Sequence, residues 1–114
     1  MEDCLFCKIA AGELATEFIY SDDQVVVFKD INPQAPVHLL IVPRRHIKDL
    51  NNIVETDAEL IGHIYQIAAK LAAEYDIADS GYRLVSNCGA DGGQSVFHIH
   101  FHLLGGRELQ WPPG

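Results

Sequence analysis

The run His98-Ile99-His100-Phe101-His102-Leu103-Leu104 constrains this chain more than any other stretch. Histidine and apolar residue alternate strictly, a period that a β-strand satisfies and a helix does not. The pattern predicts a strand over 98–104 with two unlike faces. His98, His100 and His102 share one face; Ile99, Phe101 and Leu103 share the other. At the usual strand rise, neighbouring imidazoles would stand about 6.5–7 Å apart. Half of the six histidines lie in this row. A row of this kind suits metal ligation or histidine-based catalysis.

The preceding segment bears on that choice. Asn87-Cys88-Gly89-Ala90-Asp91-Gly92-Gly93-Gln94-Ser95-Val96-Phe97 is rich in glycine. Gly89, Gly92 and Gly93 permit a tight backbone with exposed N–H groups, a concavity that holds an anion. Gln94 and Ser95 add neutral donors beside it. A phosphate cradle running into a histidine strand points to chemistry at phosphorus.

Gly-Gly-Gln-Ser-Val-Phe followed by this histidine row resembles the histidine triad (HIT) family of nucleotide hydrolases and transferases. Within it the chain is most similar to the Hint branch of purine nucleoside phosphoramidases. The likeness includes Phe6-Cys7-Lys8-Ile9, Asp30-Ile31-Asn32-Pro33-Gln34-Ala35-Pro36-Val37-His38, Leu104-Gly105-Gly106-Arg107 and Trp111-Pro112-Pro113-Gly114. It spans nearly the whole chain.

The local signals predict an α+β domain. Residues 4–11 read as a short helix, with Asp3 as N-cap and Gly12 as stop. Residues 18–20 and 24–30 read as an antiparallel hairpin around Ser21-Asp22-Asp23. Residues 37–42 form a third strand, apolar enough for burial on both faces, and Pro43 ends it. Thr56-Asp57-Ala58-Glu59 is a capping-box pattern opening a long helix over 57–75. Its stripe Ile61, Ile64, Ala68, Leu71 and Tyr75 is widened by Leu60, Ile67 and Ala72, which predicts burial on two sides. Residues 82–86 make a fourth strand and the histidine row a fifth. The expectation is one HIT domain over 1–114: a five-stranded antiparallel sheet with one long and one short helix. The resemblance adds pairing of two subunits into a homodimer with a continuous sheet.

Composition bounds the partners. Eight basic against sixteen acidic residues give a net charge of −8, which argues against nucleic acid polymers. The start Met1-Glu2-Asp3 lacks the pattern of a secretory leader, and the longest apolar run, Leu39–Val42, is far short of the ~20 residues of a membrane span. Three cysteines do not suggest a disulfide framework. The expectation is a cytoplasmic protein without membrane association.

The resemblance implies roles residue by residue. His100 is the nucleophile that forms a nucleotidyl-histidine on a purine mononucleotide or its phosphoramidate. His102 binds a phosphate oxygen. The main-chain carbonyl of His98 orients the His100 ring. Gly93, Gln94 and Ser95 hold the phosphate and leaving-group side, and Asn87 the phosphate or ribose edge. Asp30 accepts the ribose hydroxyls. Phe6, Ile9, Phe28 and Ile31 surround the base. His38 supports the triad by resemblance; from the residues alone it reads equally as a buried strand histidine bonded to backbone. Cys4 and Cys7, a pair that many Hint proteins lack, match a zinc site in other bacterial relatives, with His46 and His98 completing it. Such a zinc is structural, since four protein ligands leave no place for water; the chemistry itself requires no cofactor. Three rivals remain at this point: a metal hydrolase using the histidine row as ligands, a dinucleoside polyphosphate hydrolase, and a binding module with little turnover. The Trp111-Pro112-Pro113 tail is expected near the partner subunit's site.

Overall fold

The computed structural model describes residues 3–114. The first two residues, part of the acidic start noted above, lie outside the described residues. Two helices and five strands follow in order: α1 (Leu5–Ala10), β1 (Tyr20–Ser21), β2 (Val25–Lys29), β3 (Val37–Pro43), α2 (Ala58–Glu74), β4 (Tyr82–Val85) and β5 (Phe101–Gly105). All strand pairs are antiparallel, in the order β1-β2-β3-β5-β4. This is the expected α+β domain, with the single sheet, the long helix and the short helix.

The sheet is apolar on both faces because β2 and β3 are. Val25, Val27, Leu39, Ile41, Ile99, Phe101 and Leu103 pack with Leu60, Ile64, Ile67, Ala68 and Leu71 of α2. Each fully buried Ile or Leu in this layer contributes about 1.5–3 kcal/mol. On the opposite face Val26, Phe28, Leu40 and Val42 pack with Phe6, Ile9 and Ala10 of α1. Alternation along β3 puts His38 on this second, α1-facing side. The register sets Leu40 opposite His102 and His38 opposite Leu104. His38 and His102 are therefore diagonal neighbours on one face.

Several boundaries differ from expectation. The hydrogen-bonded part of the histidine strand begins at Phe101, so His98, Ile99 and His100 lie outside β5. Pro43, at the end of β3, has no N–H with which to extend the ladder. The Ile99 N–H instead bonds the Ile47 carbonyl at 2.6 Å, beyond the end of β3. The facing pattern nevertheless survives: Ile99, Phe101 and Leu103 all reach the α2 core. The rings of His100 and His102 lean together to 5.0 Å, closer than strand rise alone predicts.

The caps also differ. Cys4, not Asp3, caps α1, its Sγ accepting the Cys7 N–H at 3.3 Å. Thr56 does not cap α2; it lies in a 3₁₀ turn, Glu55–Asp57. There the buried Asp57 carboxylate accepts the Val54 N–H at 2.9 Å and pairs with Arg45. β1 covers residues 20–21 rather than 18–20, though Ile19 still donates to the Val27 carbonyl. Among the described residues no helix is long and apolar enough to cross a membrane.

Candidate active site

His100 sits at the centre of the α1-facing side. It is buried, and the Phe6 ring meets it edge-on at 4.9 Å. Its Nδ1 lies 2.8 Å from the His98 carbonyl. A carbonyl only accepts, so Nδ1 carries the ring proton. Nε2 is left with a bare lone pair. Burial lowers the His100 pKa, with the His98 hydrogen bond and Asp30 opposing, so the ring is neutral at pH 7. A neutral imidazole with one nitrogen tied and the other free is a ready nucleophile. The His98 carbonyl, expected from the resemblance to orient His100, is thus in hydrogen-bond contact with its ring.

On one side of His100 stands a chain of three groups. His102 Nδ1 lies 2.9 Å from His38 Nε2. Asp30 Oδ2 lies 3.3 Å from His38 Nε2 and 3.9 Å from His102 Nδ1. The three donor atoms converge closely enough for a metal. One further bond argues otherwise: the Gln34 N–H donates to His38 Nδ1 at 3.0 Å. An N–H needs a lone pair, so neutral His38 carries its proton on Nε2, where a metal would have to bind. The set is a hydrogen-bonded chain with a proton at its centre. Burial lowers the pKa of His38 despite the Asp30 charge. For His102, burial first and then the neighbouring His100 and His38 pull the value down to about 4.

On the other side stand Cys4, Cys7, His46 and His98. Here the backbone assignment is reversed. His98 Nε2 donates to the Pro43 carbonyl at 2.7 Å, which leaves Nδ1 as a lone pair. That Nδ1 lies 3.2 Å from Cys4 Sγ, 3.4 Å from Cys7 Sγ and 3.3 Å from His46 Nδ1. Cys7 Sγ and His46 Nδ1 are 3.5 Å apart. A tetrahedron with metal–N and metal–S bonds near 2.0–2.3 Å has edges of about 3.3–3.8 Å. The four predicted ligands thus come together with spacing and donor chemistry that fit a metal ion. Burial and the neighbouring His46 and His100 lower the His98 pKa, with the Pro43 bond opposing, which keeps that lone pair available.

The glycine loop runs beside this cluster. Gly89 and Gly93 take positive φ, 73° and 83°. A Cβ on Gly92 would meet the Cys88 carbonyl oxygen at 2.4 Å, so only glycine fits there. Gln94 is corrected in role. Its side chain is 6% exposed and its carboxamide is spent on backbone: Oε1 accepts the Gly89 N–H, and Nε2 donates to the Lys48 and Val96 carbonyls. It braces the loop and does not offer a free donor. Ser95 is exposed and opens on a cleft of about 440 Å³ shared with Leu5, His46, Lys48 and Phe97. Asn87 is half-buried where the loop begins.

The base-side residues divide. Phe6, Ile9 and Phe28 are buried in the α1-facing core. Ile31 is fully exposed, at 101%. It lines a cleft of about 280 Å³ together with Phe28, Ala15 and Thr16. An isoleucine with nothing packed on it, one residue from Asp30, is an apolar surface open to a ligand. Sequence reasoning missed two participants, the Gln34 amide and the Pro43 carbonyl. Both are main-chain groups, which no residue type announces.

Comparison with known proteins agrees with this geometry. Residues 3–110 match the family model described as scavenger mRNA decapping enzyme C-term binding. An uncharacterized HIT-like protein of Synechocystis sp. is 46% identical over 113 residues, covering 99% of this chain and 98% of that one. The crystal structure of a HIT family hydrolase from Legionella pneumophila superposes with a TM-score of 0.96 at 50% identity, covering 98% of this chain and all of that one. A histidine triad protein from Clostridium difficile gives 0.93 at 43% identity, with 96% of each chain covered. With near-complete coverage at such identity, and with the alternating histidines set against a glycine loop, this chain belongs to the histidine triad family.

Proposed function

We propose that this protein hydrolyses the P–N bond of purine nucleoside 5′-phosphoramidates and releases the nucleoside monophosphate. The observation that carries the reading is the His100 ring, buried and neutral, with Nδ1–H given to the His98 carbonyl and Nε2 free. Nε2 attacks the α-phosphorus and the P–N bond to the leaving amine breaks. The amine departs with one proton from water. Water then cleaves the nucleotidyl-histidine, which restores His100 and yields the monophosphate. His102 contacts a phosphoryl oxygen. Asp30, on the site's rim, accepts the ribose hydroxyls, and the exposed Ile31 beside Phe28 covers the purine. The glycine loop, Ser95 and Asn87 hold the phosphate edge. The cleft beside Ser95 has room for the leaving group.

Cys4, Cys7, His46 and His98 would hold zinc, which supplies a structural cross-link between α1, the segment after β3 and the histidine run. The reaction needs no other cofactor. The enzyme acts as a homodimer in the cytoplasm. β4 is an edge strand with unpaired groups outward, and Tyr65 of α2 and Tyr82 of β4 are exposed, as a continuous two-subunit sheet requires. Trp111, 82% exposed, lies on a tail pinned to β4 by the bond from Arg83 to the Gln110 carbonyl, in reach of such a partner.

The test is turnover of an adenosine phosphoramidate against a diadenosine polyphosphate, with sedimentation of the same sample. The phosphoramidate should be the better substrate and the species a dimer. Preference for the polyphosphate would move the protein to the other hydrolase class; no turnover of either would leave a binding module.

A further inference from the structure

The chain Gln34–His38–His102 settles where one more proton sits. The Gln34 N–H donates to His38 Nδ1 at 3.0 Å, so His38 presents Nε2–H. That hydrogen faces His102 Nδ1 at 2.9 Å, with Asp30 Oδ2 sharing it at 3.3 Å. His102 Nδ1 is therefore the acceptor, and the His102 proton lies on Nε2. The amide at the head of this chain cannot titrate, so the polarity is set by backbone.

We infer that the Gln34 amide and His38 form a tautomer lock that makes His102 a neutral Nε2–H donor. In this state His102 gives a hydrogen bond to a phosphoryl oxygen but neither gives nor takes a proton. Releasing the Nε2 proton would leave an anionic ring, because His38 has no source from which to replace it. Taking a proton requires a free lone pair, and the only one is occupied by His38. His102 acts as an electrophilic stabiliser of charge on phosphorus, a role in which preorganised donors excel. Gln34 and His38 are positioning residues that act through it. The role of His102 on substrate rests on the phosphoramidase reading; the proton positions do not.

Long-range ¹H–¹⁵N correlation NMR on the full-length protein reads the protonated nitrogen of each ring. Wild type should show Nε2–H on both His38 and His102. His38→Leu removes the donor and should release His102 to a mixture with Nδ1–H present. His38→Gln keeps a side-chain N–H near the Nε2 position and should restore the single Nε2–H form. Gln34→Pro removes the amide hydrogen, along with the side-chain bond to the Asn32 carbonyl, leaves His38 in place and should free the His38 tautomer, which gives a second route should the leucine variant not fold. Turnover in His38→Leu should fall roughly tenfold or more, as wrong tautomers do elsewhere, with the glutamine variant recovering most of it. The fall should be equal for alkylamine and phenol leaving groups, because His102 gives a proton to neither; the amine takes its proton from water. An Nδ1–H on His102 in wild type, or an unchanged His102 tautomer in His38→Leu, overturns the lock. A loss confined to alkylamine leaving groups overturns the electrophile role and makes His102 an acid. Absence of phosphoramidate turnover with the predicted tautomers would sink the phosphoramidase reading and uphold the lock.

Discussion

Two clusters flank His100, and each brings imidazoles and further donor atoms within bonding range of one another. Cys4, Cys7, His46 and His98 gather at the start of α1; Asp30 just after β2, His38 on β3 and His102 on β5 form the other. By residue type both read as metal sites. Backbone partners separate them. The Pro43 carbonyl takes the outer proton of His98 and turns a lone pair inward. The Gln34 amide takes the outer lone pair of His38 and turns a proton inward. One cluster is thereby prepared for a cation, the other for hydrogen bonding among neutral rings. The difference teaches that a histidine cluster is defined by what holds the far nitrogen of each ring.

The first way to break this comparison is at the centre. His100→Ala should leave both clusters standing and lower turnover by about a thousandfold or more, as loss of a nucleophile does. Nucleotide affinity should stay close to wild type by calorimetry, and quenched wild-type enzyme should carry a nucleotidyl adduct on His100. Near wild-type turnover in the variant would exclude covalent catalysis there.

Removing a ligand from the cation-type cluster should act on the fold instead. Elemental analysis should find about one zinc per subunit in the wild type, and Cys4→Ser should abolish it and lower Tm by about 10 °C, roughly 2 kcal/mol. Turnover of the folded fraction should change far less. Loss of turnover at unchanged Tm would merge the two clusters into one functional unit.

On the other side, Asp30→Ala should act on ligand. Ribonucleotides should weaken by about 1.5–3 kcal/mol, the worth of a charge-assisted hydrogen bond. 2′,3′-Dideoxy analogues should weaken much less. Equal losses for both would remove Asp30 from the ribose and leave it its partners Asn32, His38 and His102.

The smallest effect is on pH. His102 is held at about 4 in the fold, chiefly by burial, against about 6.5 in an unfolded chain. Between these values the unfolded chain binds more protons. The contribution of His102 to stability is therefore complete above about pH 6.5, declines as pH falls through the window and is lost below about 4. Histidine NMR titration should find His102 neutral at pH 6, and urea unfolding should show lower stability at pH 5 than at pH 7. A His102 midpoint near 6.5 would break the picture of a dry, neutral row.

Much of the fold could be read early because it depends on periodicity. Period two in 98–104 and the apolar run in 37–42 gave the sheet, and the wide stripe of 57–75 gave the long helix. The boundaries were less legible. Pro43 ends β3 as expected, but its effect on the facing strand, where pairing starts only at Phe101, depends on register. The residue type of Gln94 says that it can donate, not that its donor is free. Only packing could show its amide consumed by Gly89, Lys48 and Val96.

The sequence by itself determined which face of the strand carries chemistry and which carries core, since alternation leaves a strand no other choice. Through the glycine loop and the family likeness it also singled out His100 as the residue to test. The tertiary structure alone decided which nitrogen of each histidine is free. Those choices belong to the Pro43 and His98 carbonyls and the Gln34 amide. Main-chain groups are chemically alike at almost every position, so their part in a site arises from where the fold puts them.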